Sequence, residues 1–270
     1  MKKAEVKDVL DLLDKWRGFP SYQMERRADI FFAYYLPMIM MKCIDGFGEE
    51  KITTDNIIPE FPLKKRNDKT DNESNAENPD TNHSYKVDYA VFCESTLYLV
   101  ELKTDIASLR DVQSSYFIAE RDKDAKNNKF FELISNIPEI GSKSKQGRKY
   151  KYLIGRIEKI LESVYGSEPL KCDTWNNKDG YFEAKQQVLN ASALVNTIGK
   201  KVSVKTVYIL PDWPKNDDTR KMLKNQFDAV ITFDRIKNEL EGVDKRFCES
   251  LDLWIPLLPK TSSKNRWKQE

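Results

Sequence analysis

Apolar side chains recur at helical spacing near the start of the chain, where Val6, Val9, Leu10, Leu12, Leu13 and Trp16 form one wide stripe. A stripe of that width predicts a helix buried along one side. Gly18-Phe19-Pro20 interrupts it, and a second helix is expected over residues 22–43, ending near Gly46-Phe47-Gly48, with Pro37 placed to kink it. The longest apolar stretch, residues 30–41, holds two tyrosines and a proline and is too short to cross a bilayer. It reads as a buried helix, and no membrane association is expected.

The period then changes. Residues 52–63 read as extended, and Pro59 and Pro62 mark an edge strand or a strand with a bulge. Residues 64–84 are almost devoid of apolar side chains, which predicts a mobile surface loop that also carries the lone His83. Two strands follow at residues 85–93 and 97–103, and the short Glu94-Ser95-Thr96 link makes them an antiparallel hairpin. A helix is expected over residues 107–120, resuming over 130–134. Another lies within 143–166, with Tyr152, Ile154, Ile157, Ile160, Leu161 and Val164 on its apolar face, and a third spans 182–198. The block from Val202 to Leu210, stopped by Pro211, reads as a strand buried on both sides within a sheet. Helix, short strand, helix and helix are expected over residues 219–227, 229–233, 233–240 and 245–254, with no internal repeat.

The 270 residues, 40% hydrophobic and 33% charged, suit a single α/β domain with a sizeable core. A formal charge of +2 excludes a strongly basic chain, so any nucleic-acid contact must come from local clusters. Such clusters occur at Lys64-Lys65-Arg66, around Lys143, Lys145, Arg148, Lys149 and Lys151, at Lys200, Lys201 and Lys205, and in the tail at Lys260, Lys264, Arg266 and Lys268. Each alone is more often a solvated face than a binding patch. Cys43, Cys93, Cys172 and Cys248 are scattered without a C-x-x-C pair, which argues against structural zinc. With no apolar leader at the N-terminus, reduced thiols in a cytoplasmic protein are expected. Phe31, Phe32, Tyr34 and Tyr35 read as core packing, and Trp213 beyond a strand end reads as core closure.

The chemistry concentrates in Lys86-Val87-Asp88 and Val100-Glu101-Leu102-Lys103. A period of two puts Leu97, Leu99, Glu101 and Lys103 on one face of the second strand, and Tyr98, Val100 and Leu102 on the other. If the hairpin pairs across its short link, Asp88 comes level with the end of that strand. Two carboxylates and an ammonium are then gathered among apolar strands, where ionised groups are costly to desolvate without a partner. Mg²⁺, with Mn²⁺ able to substitute, suits such oxygen donors: Asp88, Glu101 and the carbonyl of Leu102 are the expected ligands. Lys103 is placed to orient an attacking water or to stabilise a pentavalent phosphorus.

Asp88, a twelve-residue gap and Glu101-Leu102-Lys103 resemble the signature of the PD-(D/E)XK nuclease superfamily, the restriction-endonuclease-like fold, with Val87 in place of the proline. The resemblance implies a mixed central sheet flanked by helices, its core at about residues 22–120 and 202–233, with a helical insertion at about 130–200. It implies a metal-dependent nuclease acting on DNA. It further implies a helix glutamine after the lysine, matched by Gln113 with Tyr116 following, and a glutamate completing the metal site, for which Glu25 and Glu60 compete. A module that keeps the fold and binds nucleic acid or protein without cleaving is the alternative.

Overall fold

The computed structural model describes residues 9–11, 24–47, 52–64, 84–104, 129–142, 144, 146–166, 176–178, 181–183 and 202–254. The helix expected at the N-terminus is seen at residues 9–11, and the rest of that stripe lies outside the described residues. Helix α1 (Met24–Cys43) runs through Pro37 and gives way to a turn at Gly46, whose φ of 71° suits a residue without Cβ. After a short 3-10 turn at Thr54–Asn56 come strands β1 (Ile57–Lys64), β2 (Ser84–Phe92) and β3 (Thr96–Leu102). Helices α2 (Lys129–Ser142) and α3 (Gly147–Tyr165) follow, then a small hairpin of β4 (Asn176–Lys178) and β5 (Tyr181–Glu183). The chain continues through β6 (Ser203–Leu210), α4 (Asp217–Gln226), β7 (Ala229–Thr232), α5 (Phe233–Leu240) and α6 (Lys245–Trp254).

Five strands form one mixed sheet in the order β1-β2-β3-β6-β7. The first three are antiparallel neighbours, whereas β6 pairs parallel with both β3 and β7. The protein is therefore an α/β fold with a five-stranded mixed sheet flanked by helices.

Two apolar layers cover the sheet. On the first face, Leu97, Leu99, Ala90, Phe92, Val204 and Tyr208 meet Phe130, Ile134 and Ile137 of α2 and Ile154, Ile157 and Leu161 of α3. On the second, Tyr98, Val100, Leu102, Val207 and Ile209 meet Phe32, Leu36 and Ile39 of α1, with Phe233, Ile236 and Phe247 from α5 and α6. The alternation expected along β3 is thus realised, and β6 contributes to both layers as its continuous apolar block predicts. Phe32 and Tyr35 pack against Phe233 and Phe247, with Tyr35 stacked on Phe247 at 4.0 Å between ring centroids.

Local chemistry ends and joins these elements. Asn216 caps α4 by accepting from the N–H of Asp218 at 2.8 Å, and Asp217 and Asp218 suit the positive end of the helix dipole. Thr232, the last residue of β7, caps α5 through its side chain, so strand passes to helix without a loop. Gly166 closes α3 in the left-handed region at φ 63°, with its N–H on the carbonyl of Glu162. The C-terminal end of α3 is tied to the hairpin by the Tyr165 hydroxyl, which donates to the Cys93 carbonyl at 2.8 Å.

Several expectations change, and Tyr34, expected in the core, is 69% exposed. Helix α2 extends to Ser142 rather than stopping near Ile134, because Ile137 and Ile140 continue its buried stripe despite Pro138. Phe182 and Glu183 belong to β5, so the helix expected from residue 182 does not begin there, and residues 184–198 lie outside the described residues. Tyr152 is not on the apolar face of α3 but 78% exposed, since Ile154 and Ile157 set that face about half a turn away. Helices α2 and α3, set apart from the sequence as an insertion, supply the layer over the first face.

Candidate active site

Regular pairing of β2 with β3 runs to Tyr89 opposite Val100, and one further step places Asp88 across from Glu101. The strands do not continue as a plain ladder there. The N–H of Leu102 instead donates to the Asp88 carboxylate at 2.7 Å. On the other edge of β3, the N–H of Lys103 donates to the Ile209 carbonyl of β6 at 2.8 Å. Asp88 thus takes the place of a main-chain acceptor where β2 and β3 part, while β6 holds the Lys103 end of β3 in line.

Glu101 and Lys103 project from the first face, as the period of two requires. Both are almost fully buried, and the Lys103 ammonium lies 2.6 Å from Oε1 of Glu101. Asp88 is half-buried. Taking two charges out of water costs several kcal/mol per ion, roughly, and their attraction repays that only with close geometry. Here the distance is short, and Tyr208 of β6 sits beside Glu101 in the parallel register.

The same level of the sheet carries an irregularity in β1 and β2. Glu60 lies across from Asp88, bracketed by the pairs Pro59 with Tyr89 and Phe61 with Val87. Its φ of 51° is in the left-handed region, the one positive φ outside glycine among the described residues. Residues two apart in a strand normally share a face. Val87 nevertheless joins the first layer and Tyr89 the second, and Phe61 joins the first while Ile57 joins the second. Both strands therefore change faces at the Glu60–Asp88 level, where β2 and β3 separate.

The structure joins Asp88 to the Leu102 N–H and Glu101 to Lys103, and the strand register sets Asp88 level with Glu101. Glu60 shares their row but is exposed, paired with Lys86 at 2.8 Å. Glu25 lies in α1 with its side chain outside the described residues, and Gln113 lies outside them altogether. Helix α1 packs on the second face, opposite to the one from which Glu101 and Lys103 project.

One acid was passed over in the sequence. Asp29 stands one turn after Glu25 on α1, and its carbonyl accepts from the Tyr89 hydroxyl at 2.6 Å, tying the helix to β2 on the second face. Partial burial raises its pKa; a bond from the Ile30 N–H opposes this, and the negative charge of Glu60 adds to it. The i, i+4 spacing from Glu25 was the available signal.

Among the described residues no three His, Cys, Asp or Glu side chains converge on a point able to hold a metal ion. Asp88 and Glu101 offer two hard carboxylates from facing strands, which fits Mg²⁺ with a shell completed by water, and does not fit structural zinc. Two basic residues of the sequence clusters have protein neighbours: Lys64 bonds Glu139 at 2.6 Å, and the Lys205 ammonium lies 6.0 Å from the Tyr98 ring centre.

A mixed α/β sheet with a buried Glu–Lys pair and a facing aspartate defines the class as far as geometry carries it. Comparison of the chain with family models, with curated proteins and with solved structures gave no match. No helix among the described residues is long and apolar enough to cross a membrane.

Proposed function

We propose that the chain is a metal-dependent nuclease that hydrolyses phosphodiester bonds in DNA, on a restriction-endonuclease-like version of the mixed sheet. What supports the reading is that Asp88, fixed by the Leu102 N–H at 2.7 Å, stands one register step beyond the Tyr89–Val100 pair, level with Glu101, whose carboxylate is buried 2.6 Å from the Lys103 ammonium. A buried ion pair is poor evidence for stability as such, since apolar side chains of similar size fill the same space at no greater cost. Charges at the parting of two strands, beside a second carboxylate, are better explained by chemistry.

In this proposal Asp88 and Glu101 hold Mg²⁺ or Mn²⁺ with the Leu102 carbonyl and water. When bound, the cation polarises a phosphodiester oxygen and lowers the pKa of coordinated water. The chain's own groups do the rest. Asp88 is oriented by the Leu102 N–H before substrate arrives, so little reorganisation accompanies the reaction. Lys103 orients the attacking water and offsets the negative charge that grows on the phosphoryl oxygens. Exposed lysines and arginines hold the DNA through its phosphates, so binding weakens as salt rises.

A second reading, a module that binds nucleic acid or protein without cleavage, is favoured by the Glu101–Lys103 pair itself, because each group already neutralises the other. Incubation of labelled single-stranded and duplex DNA with the full chain in Mg²⁺, Mn²⁺ or a chelator separates the two. Cleavage with either cation, lost in Asp88→Asn with melting unchanged, supports the nuclease. No cleavage under any of these conditions, or Asp88→Asn cutting at the wild-type rate, overturns it.

A further inference from the structure

We infer that the outward face of α3 is a docking surface for single-stranded nucleic acid, in which Lys149, Lys151 and Lys159 meet phosphates and the ring of Tyr152 meets an unstacked base. The inference rests on the nucleic-acid substrate proposed above.

Helix α3 buries Ile154, Ile157, Ile160 and Leu161 against the sheet. At about 100° per residue, Lys149, Tyr152, Arg156 and Lys159 then fall on the outward side. Tyr152 at 78% is the most exposed large hydrophobic side chain among the described residues, so it adds nothing to the core. Lys149, Lys151 and Lys159 surround it in solvent, and Arg156 reaches down to the Asp55 carbonyl and carboxylate at 2.9 and 2.8 Å. Against these stand exposed Glu162 and Glu158, the latter turned partly inward with one carboxylate oxygen buried. Cations prevail.

Gly155, one turn beyond Tyr152, is the second observation. A Cβ added there meets nothing within 4 Å, so close packing does not demand glycine, and the residue is mid-helix with no left-handed φ. Glycine weakens a helix interior. Its effect here is to leave the helix backbone without a side chain one turn from the exposed ring, where an added Cβ would meet nothing within 4 Å.

An occupant with both phosphates and open ring faces satisfies this surface. A single strand offers both, because its bases can leave their stack and lie on an aromatic side chain while its backbone meets lysines. A duplex keeps its ring faces stacked, and an acidic peptide offers charge alone. Helix α3 belongs to the layer on the face from which Glu101 and Lys103 project, but its bonds to Asp55 and to the Cys93 carbonyl set it toward the hairpin end of the sheet, so a strand held there is anchored away from the Lys103 end of β3.

The test is fluorescence anisotropy of the full chain, in chelator so that nothing is cut, with end-labelled oligothymidine and oligouridine of about twelve nucleotides and duplex DNA of equal length. Single strands should bind more tightly than duplex, and the tighter of the two tells DNA from RNA. Tyr152→Ala should weaken single-strand binding by roughly fivefold to a hundredfold, with Tyr152→Phe within about twofold of wild type. Lys149→Ala with Lys159→Ala should lower the salt slope of log K by about 1.4, two contacts at about 0.7 each. Duplex preference together with a silent Tyr152→Ala, or an unchanged salt slope in the lysine variant, overturns the inference. Because no step needs cleavage, single-strand binding without nuclease activity leaves this surface standing while the nuclease reading falls.

Discussion

Replacing Lys103 by methionine isolates the buried pair. The substitution keeps the side chain's length and apolar stem but leaves the Glu101 carboxylate, whose side chain is 4% exposed, without the ammonium at 2.6 Å. Removing one partner of a buried ion pair costs roughly 3–5 kcal/mol, a large share of the 5–15 kcal/mol or so that holds a typical domain together. With a urea m-value of roughly 3 kcal/mol/M for a chain of this size, the unfolding midpoint should fall by about 1 to 1.7 M at neutral pH. The deficit should shrink in acid, because a protonated carboxyl is far cheaper to bury than a carboxylate. Adding Glu101→Leu should return stability to within about 1 kcal/mol of wild type, since neither charge of the pair then remains. Mn²⁺ at about a hundred times its dissociation constant should restore about 2.7 kcal/mol to Lys103→Met, the cation replacing the lost positive charge. A single variant that costs under about 1 kcal/mol and ignores pH would show that the two groups do not share a buried pair.

Other consequences follow from separate parts of the molecule. Asp228 accepts from the N–H and hydroxyl of Thr206 at 2.8 and 3.1 Å, and Thr206 is fully buried, so Asp228→Ala should lower the unfolding free energy by roughly 2–3 kcal/mol in urea melts. Gly155→Ala, at an open mid-helix position, should raise it by about 1 kcal/mol, read as a higher melting temperature. Burial pushes the Cys43 and Cys248 thiols from 9.0 to about 11; Asp244 and Glu241 add to the shift at Cys248. The stability they contribute is complete below pH 9.0 and lost as pH rises through about 11, so urea midpoints measured across that window should fall, and less so in Cys43→Ala with Cys248→Ala. Wild-type midpoints that hold constant there would refute the burial account.

The strands of the sheet were legible from different signals: strict alternation in β3, a continuous apolar block in β6, and prolines marking β1 as an edge strand or one with a bulge. Alternation along β3 placed Leu97, Leu99, Glu101 and Lys103 on one face, and the short link after Phe92 set the hairpin. What alternation cannot show is where it fails. The change of face at Glu60 and Asp88 depends on one left-handed residue and on strands parting; Pro59 and Pro62 marked β1 as an edge strand or one with a bulge, but nothing in β2 marks the level at which both strands turn over. Helix α2 ran past its expected end because burial of Ile137 and Ile140 against the sheet outweighs the local signals of Pro138 and Gly141. Tyr152 was grouped with the apolar face by its chemistry, although its angular position on α3 points outward. Asp29 was missed for a similar reason: an acid on an exposed turn looks ordinary until the Tyr89 hydroxyl ties that turn to β2, with Glu60 near enough to raise its pKa.

The central claim is that Asp88 and Glu101 together hold a divalent cation. Electron paramagnetic resonance titration of Mn²⁺ into the full chain counts bound ions directly, and the account predicts one site in wild type that disappears in both Asp88→Asn and Glu101→Gln. Absence of that site in wild type, or its survival in the two variants, would contradict it.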